Sequence, residues 1–296
     1  MSEKKKLIVA TDLSKDARPA AEWAHGFGET QDAQVIVLHV VELSAAHWVA
    51  GAFDYLDDPE LQKKAEENVR KWYVDATGSE PDGVEVRAGT AAVQIGEAVA
   101  ERGADLLVVS RSGKRGWERF LLGSTAKALA IDPPCELVVV HPEHAKPDVK
   151  DIVVGTDFSR NADRAISVAC ELARRYGAKL HIVHSEDVED VDAIDALGGA
   201  TIPTEYRRSD VEIEASKRLK QLEKDHASEL EGVKYETKLS REEAGRALIA
   251  YCERNKSDLL VVGRAGHSPL VANVLGSAVN RVIHGSPTTL VICPAK

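Results

Sequence analysis

Two glycine-bearing turns hold the residue types best able to do chemistry in this 296-residue chain. One reads Gly263-Arg-Ala-Gly266, and nine residues later Gly276-Ser277 stands where a helix is expected to begin. Glycines let backbone N–H groups approach an oxyanion closely, and a helix N-terminus offers unpaired N–H groups with a favourable dipole, so the arrangement suits a polyphosphate. The other reads Ser110-Arg-Ser-Gly113 and, at the same spacing, Gly123-Ser124-Thr125, with serine in place of the first glycine and Lys114, Arg115 and Arg119 in the loop. It is not a Walker A loop, since no Gly-Lys-Ser/Thr follows, nor the GxGxxG turn, which would follow a first strand. Thr11-Asp12-Leu-Ser14 and Thr156-Asp157-Phe-Ser159 form a second pair of turns, whose aspartates suit either a helix entry or a ligand. Ser124 and Ser277 can cap a helix and meet a phosphate at once. His39 and His184 are read as structural. No HExxH, Ser-His-Asp spacing or paired carboxylate centre is found, so no catalytic residue or metal ligand is assigned.

The elements that must position these turns repeat. Leu7–Ser14 matches Ile152–Ser159 at an offset of 145, whereas Asp105-Leu-Leu-Val-Val109 recurs identically at 258–262, an offset of 153. The eight extra residues are placed in the acidic stretch 186–207. Short β-branched runs alternate with helical patterns, the signature of a parallel sheet covered on both faces. Strands are expected near 6–11, 34–41, 83–88, 104–110 and 135–141, then 151–157, 178–184, 233–239, 257–263 and 288–293. Helices are expected near 15–29, 58–77, 91–102 and 122–131, then 160–176, 208–230, 242–255 and 274–284. The polar stretch 141–148, with two prolines, divides the domains as 1–147 and 148–296. The loop 42–57 concentrates Trp48, Phe53 and Tyr55, and packing on its own domain is expected.

Composition narrows the partners. Thirty-eight Lys and Arg against 48 Asp and Glu give a net charge of −10, which disfavours binding a nucleic-acid backbone by bulk charge. Four scattered cysteines without ligand spacing read as reduced core residues. The apolar run after Lys6 lasts four residues, too short for a signal peptide, and none approaches the roughly 18 of a membrane span, so a cytoplasmic location is expected.

These residues resemble the universal stress protein family, whose ATP-binding members carry Gly-x2-Gly-x9-Gly-Ser/Thr after the fourth strand. Gly263, Gly266, Gly276 and Ser277 fit that pattern completely; the likeness spans essentially the whole chain. The resemblance implies two tandem flavodoxin-like, Rossmann-like α/β domains, each a five-stranded parallel sheet of order 3-2-1-4-5. It implies that Asp157 contacts the ribose or adenine, Ser185 faces the adenine, and Val262 and Gly263 lie by the ribose. Gly266 would lie by the phosphates, with Gly276, Ser277 and Ala278 on the β- and γ-phosphates. The first-half counterparts are Asp12, Val40, Val109, Ser110, Gly113, Gly123, Ser124 and Thr125. The second half is the favoured site, because Ser110 would be strained if its position demands positive φ. ATP, with Mg²⁺ accompanying it, is the implied cofactor. The last strands, 135–140 and 288–293, are implied to pair within the chain as a pseudo-dimer or between chains as a homodimer. A regulatory role in stress response, through nucleotide-dependent conformation or protein partners, is expected. A scaffold without nucleotide and a slow ATP-hydrolysing or α-phosphate-cleaving enzyme are the alternatives.

Overall fold

A computed structural model of the chain describes residues 4–42, 58–111, 122–145, 148–186, 204–264 and 276–295. The chain divides into two units, Met1–Pro147 and Asp148–Lys296. In the first, β1 (Lys6–Thr11), β2 (Gln34–Val41), β3 (Gly83–Ala88), β4 (Leu106–Ser110) and β5 (Glu136–Val140) alternate with α1 (Arg18–Gln31), α2 (Pro59–Thr77), α3 (Ala91–Arg102) and α4 (Ser124–Ile131). The strands lie in the order β3-β2-β1-β4-β5, all parallel. The second unit runs β6 (Asp151–Thr156), α5 (Arg160–Tyr176), β7 (Lys179–Ser185), α6 (Thr204–Asp225), α7 (Ala227–Leu230) and β8 (Lys234–Ser240). It continues through α8 (Ala244–Asn255), β9 (Leu259–Gly263), α9 (Ser277–Gly285) and β10 (Thr289–Cys293). Its order, β8-β7-β6-β9-β10, is the same winding, again parallel.

The central strands are apolar runs because helices bury them on both faces. Ile8 and Val9, Leu107 and Val108, Ile152 to Val154 and Leu259 to Val261 are all essentially solvent-free. Burying each such side chain contributes about 1.5–3 kcal/mol. Register is set by polar contacts at the strand starts. Asp105 accepts the Lys6 N–H at 2.8 Å, and its own N–H donates to the Lys6 carbonyl at 2.9 Å. Asp258 accepts from the N–H groups of Lys150 and Asp151 at 2.7 and 2.9 Å and returns its N–H to the Asp151 carbonyl. The repeated Asp-Leu-Leu-Val-Val segment therefore carries a register lock in its first residue and core in the rest.

Two expected helices differ. Helix α1 starts at Arg18 rather than near 15, because residues 12–17 are held in a hydrogen-bonded turn. The helix expected over 208–230 breaks at His226, whose ring is drawn to Asp163 of α5 and to Glu229. All four cysteines are free, and Cys170, Cys252 and Cys293 are buried. Among the described residues no helix is long and apolar enough to cross a membrane.

One polar network sits in the second unit where the first is apolar. His181 is buried, its Nδ1 2.8 Å from Glu236 Oε1 and 2.9 Å from the Tyr251 hydroxyl, and its Nε2 3.0 Å from Asp151 Oδ1. The corresponding place on β2 is Ile36. Hydrogen bonding from Lys179 leads the effects that hold the Glu236 carboxyl down at about 2, below its ordinary 4.5. A carboxyl depressed on folding stabilises above its unfolded pKa, and that contribution disappears as pH falls from about 4.5 through about 2. Glu236→Gln should therefore lower the unfolding free energy at neutral pH by about 1 kcal/mol and flatten the acid limb between those values. Urea titrations at several pH values check this, and an unaltered acid limb would contradict it.

Candidate functional site

In each sheet the winding reverses between the first and fourth strands, β1 and β4 or β6 and β9, so a crevice is expected at their carboxyl ends. Both turns singled out in the sequence lie there. After β1, the Leu13 N–H donates to Thr11 Oγ1 at 2.9 Å and the Ser14 N–H to Asp12 Oδ1 at 3.0 Å; the Ala17 N–H reaches Ser14 Oγ at 3.2 Å. After β6 the same three bonds recur, Phe158 to Thr156 and Ser159 to Asp157 at 3.0 Å each, and Ala162 to Ser159 at 3.3 Å. Asp12 and Asp157 thus act as turn builders through Oδ1. Between them and the serines, Leu13 and Phe158 take left-handed φ values of 61° and 62°. A bulky residue there is a strained outlier, and its repetition at the same place marks a conformation that the turn imposes. Leu13 and Phe158 were not singled out by sequence reasoning; the shared Thr-Asp-x-Ser pattern was the available signal.

The fourth strand ends against this turn. A Cβ built on Gly263 would lie 2.6 Å from the Asn161 carbonyl oxygen and 2.8 Å from its carbon, so the glycine is required by close approach of two backbones. Gly263 does not have positive φ, and neither does Ser110, so the strain expected for Ser110 on that ground is not found. Ser110 instead donates its hydroxyl to the Asp16 carbonyl at 2.6 Å, across the same gap that Gly263 spans by direct contact. Beyond it the Arg111 N–H bonds the Val140 carbonyl at 3.1 Å, as the Arg264 N–H bonds Cys293 at 3.0 Å. The Gly123 N–H closes onto the Arg111 carbonyl at 2.8 Å, bringing the start of α4 to the end of β4.

At the helix starts, Gly123 and Gly276 are the N-caps, and Ser124 and Ser277 are the first helical residues. Neither helix has a side-chain cap or an acidic residue in its first turn. Thr125 and Ala278 follow within that turn. Val109 and Val262 are buried core residues, which leaves backbone atoms as what they can offer a ligand. Val40 is the next-to-last residue of β2; at the matching place the Ser185 hydroxyl donates to the Glu242 carbonyl. Gly113, Gly266, Lys114, Arg115 and Arg119 lie outside the described residues, as do 43–57 and 187–203.

The histidines at the strand ends differ between units. His39 and His184 each place Nδ1 2.8 Å from the carbonyl of Thr11 or Thr156. Only His184 has Glu186 after it, 2.9 Å from Nε2. The His184 ring lies 4.3 Å from that of Phe158, over whose ring the Arg218 guanidinium of α6 sits, also at 4.3 Å. At the end of β5, burial, with Arg111 and His144 adding, pushes His141 down to about 4. Among the described residues no group of three His, Cys, Asp or Glu is placed to hold a metal ion.

Exchange at the two fourth-strand residues should cost by different mechanisms. Gly263→Ala forces its Cβ into the Asn161 backbone and should destabilise the second unit by about 1–3 kcal/mol. Ser110→Gly loses one hydrogen bond and should cost the first unit no more than about 1.5 kcal/mol. Denaturation midpoints of both variants check this; an unchanged midpoint in Gly263→Ala would contradict the close approach.

A family model described as the universal stress protein family matches twice, over residues 4–141 and 148–294. A universal stress protein of Mycolicibacterium smegmatis is 26% identical over 295 residues, covering 97% of this chain and 96% of the relative. The universal stress protein Rv2005c of Mycobacterium tuberculosis is 25% identical over 298 residues, with the same coverage. Among solved structures, a universal stress protein from Archaeoglobus fulgidus superposes with a TM-score of 0.67 at 22% identity, covering 99% of both chains, a likeness of fold. With the family pattern matched once in each half and relatives aligned end to end, the chain belongs to the universal stress protein family.

Proposed function

We propose that this chain is an ATP-binding universal stress protein that acts in stress regulation through nucleotide-dependent conformation or partner binding. The second unit is the favoured site, with Mg²⁺ entering on the phosphates. The observation that carries the reading is the pair of glycine N-caps. Gly123 and Gly276 have φ of −60° and −56°, open to any residue, so no backbone need explains glycine there. Among the described residues, a Cβ on Gly123 would meet only the Arg111 carbonyl, at an ordinary 3.7 Å. Glycine at this position puts no side chain of its own in front of helix N–H groups that lack a side-chain cap, which suits a phosphate. The resemblance supplies the rest: Asp157 and Ser185 toward the nucleoside, Val262 and Gly263 along the ribose, and Gly266, Gly276, Ser277 and Ala278 around the phosphates. The first unit keeps the same frame, and Ser110, bonded to Asp16 rather than strained, leaves it able to hold a second nucleotide.

ATP at about 100-fold its dissociation constant should stabilise the chain by about 2.7 kcal/mol. Gly266→Val, which puts a branched side chain into the phosphate loop, should remove most of that rise in a thermal-shift assay. Equal stabilisation of parent and variant would contradict the placement, and no stabilisation of either would favour the scaffold alternative.

A further inference from the structure

The start of α8 touches residues from both ends of the proposed nucleotide site in the second unit. The hydroxyl of Ser185, proposed for the nucleoside end, donates to the Glu242 carbonyl. A little further on, a Cβ built on Gly245 would lie 2.8 Å from Arg281 Cβ and 3.1 Å from the carbonyl oxygen of Ala278, a residue proposed around the phosphates. Neither atom is the far end of a flexible side chain, so glycine at 245 is what lets α8 and α9 meet this closely. Between these contacts stands Glu243, the N-cap of α8. Its Oε1 accepts the Gly245 N–H and its Oε2 the Arg246 N–H, each at 3.1 Å, and Oε2 also lies 2.7 Å from Arg281 Nε on α9. One carboxylate therefore caps one helix and ties down the other. Arg281 lies a turn beyond Ser277, so the pair acts on the part of α9 whose N–H groups are proposed to face the phosphates.

The first unit is built differently at each of these places. At the offset of 153 it has Thr90, Ala92 and Ala128 for Glu243, Gly245 and Arg281. Thr90 is the N-cap of α3 but makes no side-chain cap bond. The helices of the second unit also meet at the other end, where a Cβ on Gly285 would lie 2.8 Å from Ile249 Cδ1. The first unit has Gly96 for Ile249, and among the described residues a Cβ there would meet nothing within 4 Å. The helix start proposed to face phosphate is thus common to both units, whereas the carboxylate, the arginine and the glycine that seat it belong to the second alone.

We propose that Glu242 to Gly245, with Arg281, form a spacer that fixes the interval between the nucleoside and phosphate ends of the second unit's site and makes that site selective for the length of the phosphate chain. This rests on the nucleotide reading above. A ligand whose phosphates stop short of α9 is indifferent to where that helix begins, whereas one that reaches it is held only when the interval matches. Glu243 and Arg281 are positioning residues, acting through the seat of α9. The test is calorimetric titration of the full chain with ATP and with ADP, the second unit's share being the binding that Gly266→Val removes. Arg281→Met and Gly245→Ala should each cut that share's preference for ATP over ADP about tenfold, and Arg281→Lys, which keeps a charge for Glu243, should retain most of it. A variant that only destabilised the fold would weaken both nucleotides alike. Arg281→Met, which preserves the aliphatic stem, decides the matter where Gly245→Ala fails to fold. A parent without a preference for ATP, or an ATP-to-ADP ratio unchanged in the variants, would overturn the spacer and leave nucleotide binding intact. A parent that takes up neither nucleotide, or takes up both undiminished with Gly266→Val, would overturn the nucleotide reading and the spacer with it.

Discussion

Everything at the candidate site depends on one close approach, that of the fourth-strand end to the turn after the first strand. In a parallel sheet wound 3-2-1-4-5 these two strands are neighbours, and their connections leave in opposite directions, so their carboxyl ends frame the crevice. The Asp105 and Asp258 carboxylates fix the strands against each other at the far end. At the near end Gly263 brings backbone to backbone with Asn161, and Ser110 reaches Asp16 through its hydroxyl. The left-handed Leu13 and Phe158 and the Asx turns of Asp12 and Asp157 are what the first-strand turn adopts to meet that approach.

Much of this architecture was legible because the relevant signals are periodic or repeated. Continuous β-branched runs reported strands buried on both faces, and the two copies of Thr-Asp-x-Ser and Asp-Leu-Leu-Val-Val placed the same turns at the same strands. What was not legible depends on contacts between distant residues. Nothing in the residue type Asp distinguishes Asp258, which pins β9 to β6, from an ordinary turn aspartate. The demand for glycine at 263 comes from Asn161, a hundred positions away, and not from positive φ. The break at His226 likewise follows from a partner on α5, beyond the reach of helical periodicity.

The two units share a frame and differ in its polar fittings. The second has buried His181 bridging Asp151 and Glu236 where the first has Ile36, and Glu186 on His184 where the first has Val41. The first has Ser110 and the buried Arg111 beside a His141 pushed down to about 4. These substitutions give the second unit the more charged surroundings for its strand histidines. Its site-facing turn is bound, through Phe158 and Arg218, to the long helix α6, which gives any movement of that turn a route to the unit's surface.

The central claim is that an adenine nucleotide occupies the crevice formed by these turns. It is tested most directly by purifying the full chain without added nucleotide, denaturing it and counting what is released by chromatography and mass spectrometry, then titrating the emptied protein with ATP. The account predicts about one adenine nucleotide per chain from the second unit, recovered on titration if lost during purification, and about two if the first unit also fills. A chain that releases none and takes up none on titration would contradict it.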